Sequence, residues 1–490
     1  MSRYNVMTSI PYVNGKPHVG HALELVQADV LARHRRQRGD EVRAQTGTDD
    51  NALKNAQSAE AEGVTPAEYV NRVAERFLAL GDALELDFDD FIKTSSDPRH
   101  QPGVDKLWVA CAEDFYRKAY EGLYCVGSES FYTPEELIDG RCPEHGTVPE
   151  LVRENNWFFR LSRYQDQLVE LVSSDVIRVE PLSRKREVLS FIRSGLADFS
   201  VSRSTERAHG WGVPVPGDPE QVVYVWFDAL ANYITAPGYG TDDANFAYWW
   251  DDSDERVHVI GKGIIRFHAV YWPAMLLSAG LTLPTTIFVH EYLTAGGKKI
   301  SKSFGNAEDP ADIVAQYGSD AVRWWLLSEV ARSGDTDYTP VRLVARANED
   351  LANNIGNLVT RSVSMVAKFR DGVVPPVVED NPLAAGLRLA RTQAAATIDE
   401  ALAAFDFRRA VEAVTRIGDE ANRYIQATKP WALAKSVDPA LDAVLAELIA
   451  TCGELAEHLT PFLPSAAERV RAQCRDVRPS PVFPRLEVRT

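Results

Sequence analysis

The fold of this chain is decided by residues 4–36, which read YNVMTSIPYVNGKPHVGHALELVQADVLARHRR. Residues 4–17 form an extended run punctuated by proline, and a helix-like segment follows at 21–36. The motif HVGH stands at the junction, at 18–21. A helix start presents free N–H groups and the positive end of the helix dipole, so paired imidazoles there suit a polyanion. The stretch therefore predicts a strand-to-helix junction that binds an anionic ligand.

A second short motif, KISKS at 299–303, lies in a glycine-rich loop at 295–306, after the strand-like stretch 286–292. Two lysines on a mobile loop can follow charge that develops on phosphate groups only in the transition state. Taken singly, each motif also has a plain structural interpretation, a helix cap for the first and a solvated polar loop for the second. The sequence contains no GxxxxGK[ST] motif, so a Walker-type phosphate loop is excluded.

Length and composition limit the class of protein. The 490 residues exceed what one hydrophobic core usually holds, so two or three domains are expected. With 45% hydrophobic and 25% charged residues, the chain has an ordinary globular composition. The formal net charge is −17, so an RNA partner would have to meet local basic patches instead of a protein that is basic as a whole.

Three features predict a cytoplasmic protein. Residues 1–10 have no uninterrupted apolar core and no small-residue cleavage pattern, so no signal peptide is expected. No stretch of the sequence approaches the roughly 18 apolar residues of a membrane helix. Five cysteines are sparse and odd in number, as expected for a reducing compartment without a disulfide framework.

The order of patterns along the chain predicts an α/β fold with an insertion and a helical end. Strand-like runs alternate with amphipathic helices over 1–115, which predicts a parallel doubly wound sheet with ligands at the carboxyl ends of its strands. Turns, prolines and cysteines interrupt this pattern at 116–220, as in an inserted module. The α/β pattern resumes at 221–340, with apolar runs at 222–226 and 257–260. Over 341–490, apolar residues at spacings of three and four predict helices.

Five longer segments carry a resemblance to a known family. They read SIPYVNG (9–15), YVWFDALANY (224–233), RFHAVYWPA (266–274), NRY (422–424) and KPW (429–431). Together with HVGH and KISKS in this order, they are similar to the class I aminoacyl-tRNA synthetases, whose corresponding motifs are HIGH and KMSKS. Within that family the chain resembles the methionyl-tRNA synthetases. The resemblance extends from about residue 4 to about residue 463.

The resemblance implies an architecture and an activity. Residues 1–115 and 221–340 would form a Rossmann-like catalytic domain, interrupted at 116–220 by a connective module with a zinc-knuckle-like segment. Residues 341–490 would form a helical anticodon-binding domain. The implied reaction is ATP-dependent ligation of methionine to tRNA(Met) through a methionyl-adenylate intermediate, with Mg²⁺ arriving on the ATP. A monomer without membrane contact is expected.

The family's functional residues can be carried over position by position. The residues implied to bind ATP are His18, Gly20, His21, Lys299, Ser301 and Lys302, and the two histidines and two lysines are the implied catalytic residues. The implied methionine pocket consists of Ile10, Tyr12, Asp49, Trp226, Ala229, Leu230, Tyr233, Ile264 and His268, with Asp49 holding the substrate ammonium. The positions that match the family's readers of the CAU anticodon are Asn357, Arg361 and Trp431.

The chemistry of these residue types agrees with the implied ligands. A thioether is soft and apolar, and it favours sulfur–aromatic contacts with one or two polar donors such as Tyr12 and His268. Unstacked anticodon bases can stack on Trp431, while Asn357 and Arg361, four residues apart, share a helix face. The alternative is that the aromatic set is ordinary core and that Arg361 is a solvated helix charge.

The inserted module departs from the family's zinc knuckle. The single-knuckle form has Cys₃His ligands around tetrahedral zinc. Here Cys125, Cys142 and His145 match, and Ser128 stands in place of the remaining cysteine. Two alternatives are open: zinc held by the three matching residues with water or Glu129 as the fourth ligand, or a metal-free remnant of the knuckle.

Three positions on the nucleotide side also differ from the family. Asn51 replaces the histidine of the usual Asp-Glu-His-Gly turn, Gly263 replaces the aspartate of Gly-Lys-Asp, and Glu291 replaces a glycine. Glu291 is expected to add negative charge near ATP. Because one lost hydrogen bond to a charged group costs about 1.5–3 kcal/mol, these changes predict slower adenylation.

Three hypotheses are therefore open. The chain is a working methionine–tRNA ligase, or a divergent paralogue that binds tRNA, or an enzyme that makes an aminoacyl-adenylate for a non-translational role. The intact histidines and lysines of the two short motifs favour catalysis, because a protein that only binds tRNA has no evident need for phosphate-binding lysines on a mobile loop.

Overall fold

The structure, a computed structural model, describes residues 2–144, 146–300, 308–378 and 381–488, including the backbone but not the side chain of Lys299. The chain divides into two compact units. The first unit comprises Met1–Pro17, Arg38–Gly81 and Asp87–Glu291, and the second comprises His18–Gln37, Asp82–Leu86 and Tyr292–Thr490. None of the described helices combines the length and hydropathy that crossing a membrane requires.

The strands, in chain order, are β1 (Arg3–Thr8), β2 (Glu41–Thr48), β3 (Asp90–Lys93), β4 (Phe115–Cys125), β5 (Ser130–Tyr132), β6 (Glu150–Phe159), β7 (Arg178–Glu180), β8 (Phe199–Ser200), β9 (Ser202–Ser204), β10 (Pro214–Val215), β11 (Asp218–Val223), β12 (Glu255–Gly261), β13 (Thr286–His290), β14 (Leu293–Ala295), β15 (Lys298–Lys299) and β16 (Thr336–Asp337).

The helices are α1 (Val19–Gln37), α2 (Leu53–Glu62), α3 (Pro66–Ala83), α4 (His100–Ala110), α5 (Gln165–Ser173), α6 (Leu182–Arg193), α7 (Val225–Thr235), α8 (Asp243–Phe246), α9 (Trp272–Ser278), α10 (Pro310–Tyr317), α11 (Ser319–Ser328), α12 (Pro340–Arg346), α13 (Asn357–Phe369), α14 (Ala385–Ala403), α15 (Phe407–Thr428), α16 (Pro430–Ser436), α17 (Ala440–Leu459) and α18 (Pro464–Asp476). Segments of π-helix occur at Ala247–Asp251, Phe267–Tyr271 and Ala347–Gly356, and a 3₁₀ turn occurs at Lys262–Ile264.

A parallel sheet organises the first unit. Its strand order is β3-β2-β1-β12-β13-β7, and every neighbouring pair is parallel. At the centre, Val6 is in register with Ala44 on one side and with Val257 on the other. The chain proceeds outward from β1 in one direction through β2 and β3, and in the other through β12 and β13, so the strand order reverses between β1 and β12. The prediction of a Rossmann-like sheet is confirmed, and its ligand-binding place is expected at this reversal.

Two antiparallel sheets complete the strands of the first unit. One has the order β5-β4-β6-β8, and β4 pairs with β6 from Phe115↔Phe159 to Tyr124↔Glu150. The other has the order β10-β11-β9. The apolar run 222–226, where the α/β pattern was expected to resume, contains the end of β11 at Val223 and the start of α7 at Val225. A short buried apolar run does not distinguish a strand from the first turn of a buried helix.

Helices dominate the second unit, which confirms the predicted helical C-terminal region. A buried arginine, Arg323 of α11, holds several of its segments together. Its guanidinium pairs with Asp29 of α1 at 2.6 Å, and it donates to the carbonyls of Leu84 at 2.9 Å and Phe462 at 2.7 Å. A fully paired guanidinium at this depth is a structural group.

Candidate active site

The predicted amino-acid pocket begins at the carboxyl ends of adjacent parallel strands. Ile10 and Tyr12 follow β1, Asp49 follows β2, and Ile264 follows β12. Tyr12 and Asp49 pair in parallel beyond the sheet proper, and the Asp49 N–H donates to the carbonyl of Pro11 at 2.9 Å. The sheet edge thus brings together residues that lie more than two hundred positions apart.

Helix α7 supplies one wall of this region. Trp226, Ala229, Leu230 and Tyr233 recur at spacings of three, one and three, and all four are buried. The Trp226 ring meets the Tyr12 ring edge-on, with centroids 6.1 Å apart, and stacks on the Phe267 ring at 3.8 Å. Trp226, Leu230 and Tyr233 also belong to the main hydrophobic cluster of the unit, so these side chains are core residues and pocket candidates at once.

Hydrogen bonds fix the protonation of His268. The ring Nδ1 lies 3.0 Å from the carbonyl of Ile264, which can only accept, so Nδ1 carries the proton. Nε2 is then an acceptor, and the Tyr233 hydroxyl donates to it at 2.8 Å. Burial lowers the pKa of His268 to about 4. The imidazole is therefore neutral at physiological pH and presents a fixed, uncharged face.

Three buried polar atoms in this region have no hydrogen-bond partner among the described residues: the Tyr12 hydroxyl, Asp49 Oδ1 and Trp226 Nε1. Asp49 is 1% exposed, and burial raises its pKa well above the usual value, with the charges of Asp228 and Asp50 adding to the effect. Unpartnered buried polar groups are costly, and an unpartnered carboxylate most of all. Their grouping beside aromatic rings indicates a ligand that carries both a cationic donor and an apolar part.

The substituted position Asn51 has a definite role in this turn. Its side-chain amide donates to Asp228 Oδ2 at 2.8 Å, and His100 Nε2 lies 2.8 Å from the other oxygen of the same carboxylate. Asn51 thus supplies a hydrogen-bond donor to a buried carboxylate. Compared with the family's histidine, its side chain is smaller and cannot be protonated. His100 was not predicted, because a lone histidine in the sequence carries no positional signal.

The expected negative charge of Glu291 is compensated. Its carboxylate, 3% exposed, accepts from Arg184 with both oxygens at 2.6 Å, and Lys262 Nζ lies 3.2 Å from one of them. One guanidinium nitrogen, Nη2 of Arg184, contacts both carboxylate oxygens, and together with the Lys262 ammonium it balances the charge locally. Glu291 therefore belongs to an ion cluster with Arg184 and Lys262, which balances the negative charge expected from this substitution. Arg184 and Lys262 were not predicted.

The motif HVGH forms the start of α1 as predicted. The rings of His18 and His21 stack with centroids 3.8 Å apart, and the His18 N–H donates to His21 Nδ1 at 3.0 Å. A neutral His21 then has its proton on Nε2, which can donate to an anion. A Cβ at Gly20 would lie only 3.0 Å from His18 Cε1, so glycine leaves room for the stacked rings.

The lysine motif lies largely outside the described residues. Lys299 belongs to β15, but its side chain, together with Ser301 and Lys302, is outside the description. Ile300, which replaces the family's methionine, is described and is 5% exposed. An apolar side chain at this position is buried, which explains why isoleucine can replace methionine.

The predicted anticodon residues lie on two helices of the second unit. Asn357 and Arg361 are one turn apart on α13, and Trp431 is on α16, which packs against α13. The Trp431 side chain is 46% exposed. An exposed tryptophan is typical of a surface on which nucleic-acid bases stack.

The knuckle-like segment contains two of the expected zinc ligands among the described residues, Cys125 and Cys142. Cys125 Sγ lies 3.4 Å from the Thr147 hydroxyl, and Cys142 Sγ lies 3.8 Å from the Ser128 hydroxyl. His145 is outside the described residues. In the described part of the chain, no group of three His, Cys, Asp or Glu side chains is arranged to hold a metal. Two thiols with hydroxyl neighbours fall short of the four ligands of structural zinc, so the described residues do not form a complete site.

Comparisons with known proteins extend over the whole chain. The family model described as tRNA synthetases class I (M) matches residues 4–148 and 133–363. A methionine–tRNA ligase of Brucella suis is 41% identical over 517 aligned positions, which cover 99% of this chain and 98% of the relative. The methionine–tRNA ligase of Rhizobium meliloti is 40% identical, covering 96% of this chain and 91% of the relative.

Solved structures agree with the sequence relatives. The methionyl-tRNA synthetase of Mycobacterium tuberculosis in complex with methionyl-adenylate matches with a TM-score of 0.92 at 38% identity, covering 99% of this chain and 100% of that chain. The free form of the same enzyme matches with a TM-score of 0.85 at 35% identity. The resemblance inferred from the motifs is confirmed, and the chain belongs to the class I tRNA synthetases and, within them, to the methionyl-tRNA synthetase family.

Proposed function

We propose that this protein ligates methionine to tRNA(Met) in two steps that use ATP. In the first step a carboxylate oxygen of methionine attacks the α-phosphorus of ATP, the bond from that phosphorus to the bridging oxygen breaks, and pyrophosphate leaves. In the second step a hydroxyl of the terminal ribose of the tRNA attacks the carbonyl carbon of methionyl-adenylate, AMP leaves and the hydroxyl proton is released. Neither step requires covalent attachment to the protein, so positioning and charge stabilisation dominate.

The observation that carries this proposal is the unpartnered oxygen of Asp49. A carboxylate that is 1% exposed, with one oxygen lacking a partner among the described residues, fits the ammonium group of an amino acid. The Tyr12, Trp226 and His268 rings beside it fit a soft, apolar thioether. A neutral His268 avoids placing a second charge beside the uncharged side chain of the substrate.

The nucleotide roles follow from the two short motifs. His21 Nε2 and the His18 ring, at the start of α1, would contact the α-phosphate and ribose side of ATP. Lys299 and Lys302, with Ser301, would stabilise the pyrophosphate as it leaves, and Mg²⁺ would be bound to the nucleotide.

We further propose that Asn357, Arg361 and Trp431 read the anticodon, with the aromatic ring stacking on an unpaired base and the two polar side chains bonding to base edges. The division at 1–115, 116–220, 221–340 and 341–490 is proposed as the domain organisation, with the last part as the anticodon-binding domain. A cytoplasmic monomer remains the proposed state.

The test is ATP–pyrophosphate exchange by the purified protein without tRNA, with each of the twenty amino acids and homocysteine. We expect exchange driven by methionine, and Lys302→Ala should abolish it while methionine still binds. Exchange driven by a different amino acid, or by none, would contradict the proposal.

The same preparation separates the remaining hypotheses. A folded protein that binds a CAU-anticodon tRNA but shows no exchange would be a tRNA-binding paralogue. A protein that shows methionine-dependent exchange but transfers no methionine to tRNA(Met) would make the adenylate for a non-translational role.

A further inference from the structure

The turn between β4 and β5 of the antiparallel sheet carries a buried acidic residue, Glu129. Its side chain is 2% exposed and its backbone has φ of 52°. The Tyr124 hydroxyl donates to the Glu129 carboxylate, and the Tyr224 hydroxyl donates to its backbone carbonyl. A left-handed conformation is strained for a residue with a side chain, and such strain persists only where the surroundings hold it. The turn is therefore fixed at this position.

Lys54, the second residue of α2, connects this turn to the predicted amino-acid pocket. Its N–H donates to Glu129 Oε1 at 3.4 Å, and its ammonium donates to the carbonyl of Gly127 at 3.0 Å. The same ammonium lies 3.3 Å from the centroid of the Tyr12 ring. A cation at this distance over a buried aromatic face is strongly attracted to it. One side chain thus contacts both the turn and a wall of the pocket.

The charge of Lys54 also acts on Asp49. The pKa of Asp49 is raised by burial first and then by the carboxylates of Asp228, Asp50 and Glu129, whereas Lys54 lowers it. Against three negative neighbours, this ammonium favours the ionised form of Asp49, which is the form that can hold a substrate ammonium.

We propose that Lys54 is a positioning residue for the amino-acid substrate, held in place by the turn at 127–129. Its ammonium lies over the Tyr12 ring and is anchored by the Gly127 carbonyl, so it fixes that ring at the pocket. This inference rests on the proposed function, because it takes Tyr12 and Asp49 as the residues that contact methionine. It also gives Glu129, an alternative zinc ligand by sequence, a different task.

The first experiment compares Lys54→Met with Lys54→Arg, using calorimetric methionine affinity and exchange kinetics. Methionine preserves the length of the side chain without its charge, whereas arginine retains both the charge and the ability to lie over an aromatic ring. We expect Lys54→Met to weaken methionine binding about tenfold or more and to leave the KM for ATP within about twofold. Lys54→Arg should restore binding to within about threefold of wild type.

The control is Lys106→Met. Lys106 also places its ammonium over a tyrosine ring, that of Tyr239 at 4.6 Å, and pairs with Asp243 at 2.9 Å. This lysine is exposed and is not one of the predicted site residues, so its loss should not change methionine affinity. Because the Lys54 charge lowers the pKa of Asp49, Lys54→Met should also shift to higher pH the loss of methionine affinity that occurs on acidification. A purely structural defect would not cause this shift.

Glu129→Gln provides a second variant. The amide keeps the volume and an oxygen that can accept from Tyr124, but it removes the negative charge that attracts the Lys54 ammonium. We expect this loosening of Lys54 to outweigh the loss of one negative charge near Asp49, so that methionine binds about threefold more weakly than in wild type. If the two residues act together, the double variant with Lys54→Met should bind no more weakly than Lys54→Met alone.

Several results would overturn the inference. These are methionine affinity within about twofold of wild type in folded Lys54→Met, equal defects in the Met and Arg variants, or fully additive effects in the double variant. If Lys54→Met does not fold, an unchanged methionine affinity in Glu129→Gln would also overturn the inference. Methionine binding without exchange in wild type would contradict the proposed function but leave this test intact, whereas no methionine binding in wild type would contradict both.

Discussion

Two buried carboxylates at the same edge of the parallel sheet differ in how their charge is compensated. Glu291, which follows β13, accepts two hydrogen bonds from Arg184 at 2.6 Å and has Lys262 at 3.2 Å. Asp49, which follows β2, has one oxygen without a partner among the described residues. Their exposures are nearly the same, 3% and 1%, so depth of burial does not explain the difference.

This difference in hydrogen-bond partners indicates which of the two carboxylates can bind a ligand. A buried charge with matched cations contributes to the folded structure and has little capacity left for another partner. A buried carboxylate whose oxygen has no hydrogen-bond partner destabilises the folded state. Such a group is typical of a binding site, where the ligand supplies the missing partner. This contrast supports the proposal that Asp49 binds the substrate ammonium, whereas Glu291, although unusual for the family, has its charge balanced by Arg184 and Lys262.

The largest effect is expected for Asp49→Asn. Removing the charge should weaken methionine affinity about 10- to 100-fold, because a hydrogen bond to a charged group contributes about 1.5–3 kcal/mol. A raised carboxyl pKa means that the ionised form destabilises the fold above that pKa, so the neutral amide should maintain or increase thermal stability. Calorimetry and thermal denaturation measure the two quantities. Unchanged methionine affinity in Asp49→Asn would contradict the proposal that Asp49, unlike Glu291, binds the substrate.

Glu291→Gln should have the opposite effects, lowering stability while leaving methionine affinity nearly unchanged. Breaking the cluster leaves Arg184 and Lys262, whose side chains are 18% and 22% exposed, without their common partner. We expect the free energy of unfolding to fall by about 1–3 kcal/mol, less than for a fully buried pair because solvent screens the cations. Urea denaturation measures this, with methionine affinity expected to stay within about twofold.

The matched control for that variant is Glu121→Gln. Glu121 pairs with Arg153 on the surface, with side chains 50% and 74% exposed, so its loss should change stability little. If Glu291→Gln instead weakened methionine binding as much as Asp49→Asn does, Glu291 would have to be counted among the substrate-binding groups.

The pH dependence of methionine affinity provides a separate test of Asp49. Affinity should weaken as the pH falls through the raised pKa of Asp49, because the protonated carboxyl no longer attracts an ammonium. His268, with a pKa of about 4, stays neutral above about pH 5 and does not contribute to this limb. Calorimetric titrations over the pH range in which the protein stays folded test this. A methionine affinity that does not weaken on acidification would contradict the proposed role of the ionised Asp49.

The smallest effect is expected where the pocket is already hydrogen-bonded. Tyr233→Phe removes the donor to His268 Nε2, a neutral hydrogen bond of about 0.5–1.5 kcal/mol. The KM for methionine should rise about two- to tenfold, with the KM for ATP unchanged. Steady-state exchange kinetics measure both. A loss larger than that of Asp49→Asn would reverse the proposed ranking of the polar groups.

Much of the site could be predicted from the sequence because it is local to strand ends. Tyr12 and Asp49 each follow a strand-like run that forms a strand of the parallel sheet, and the motif around His18 marks the first helix. The roles of Lys54 and Glu129 could not be predicted. Their contact joins a helix start to a turn 75 positions away, and neither residue belongs to a periodic pattern.

The parallel α/β sheet, the helical C-terminal region and the family could be predicted from residue order alone, because periodicity, strand-end positions and motif order are local to the chain. The compensation of buried charges could not be predicted in this way. Whether Glu291 or Asp49 has a partner depends on side chains from distant segments, such as Arg184, meeting it at hydrogen-bond distance. The electrostatic state of a buried carboxylate is set by what surrounds it in space.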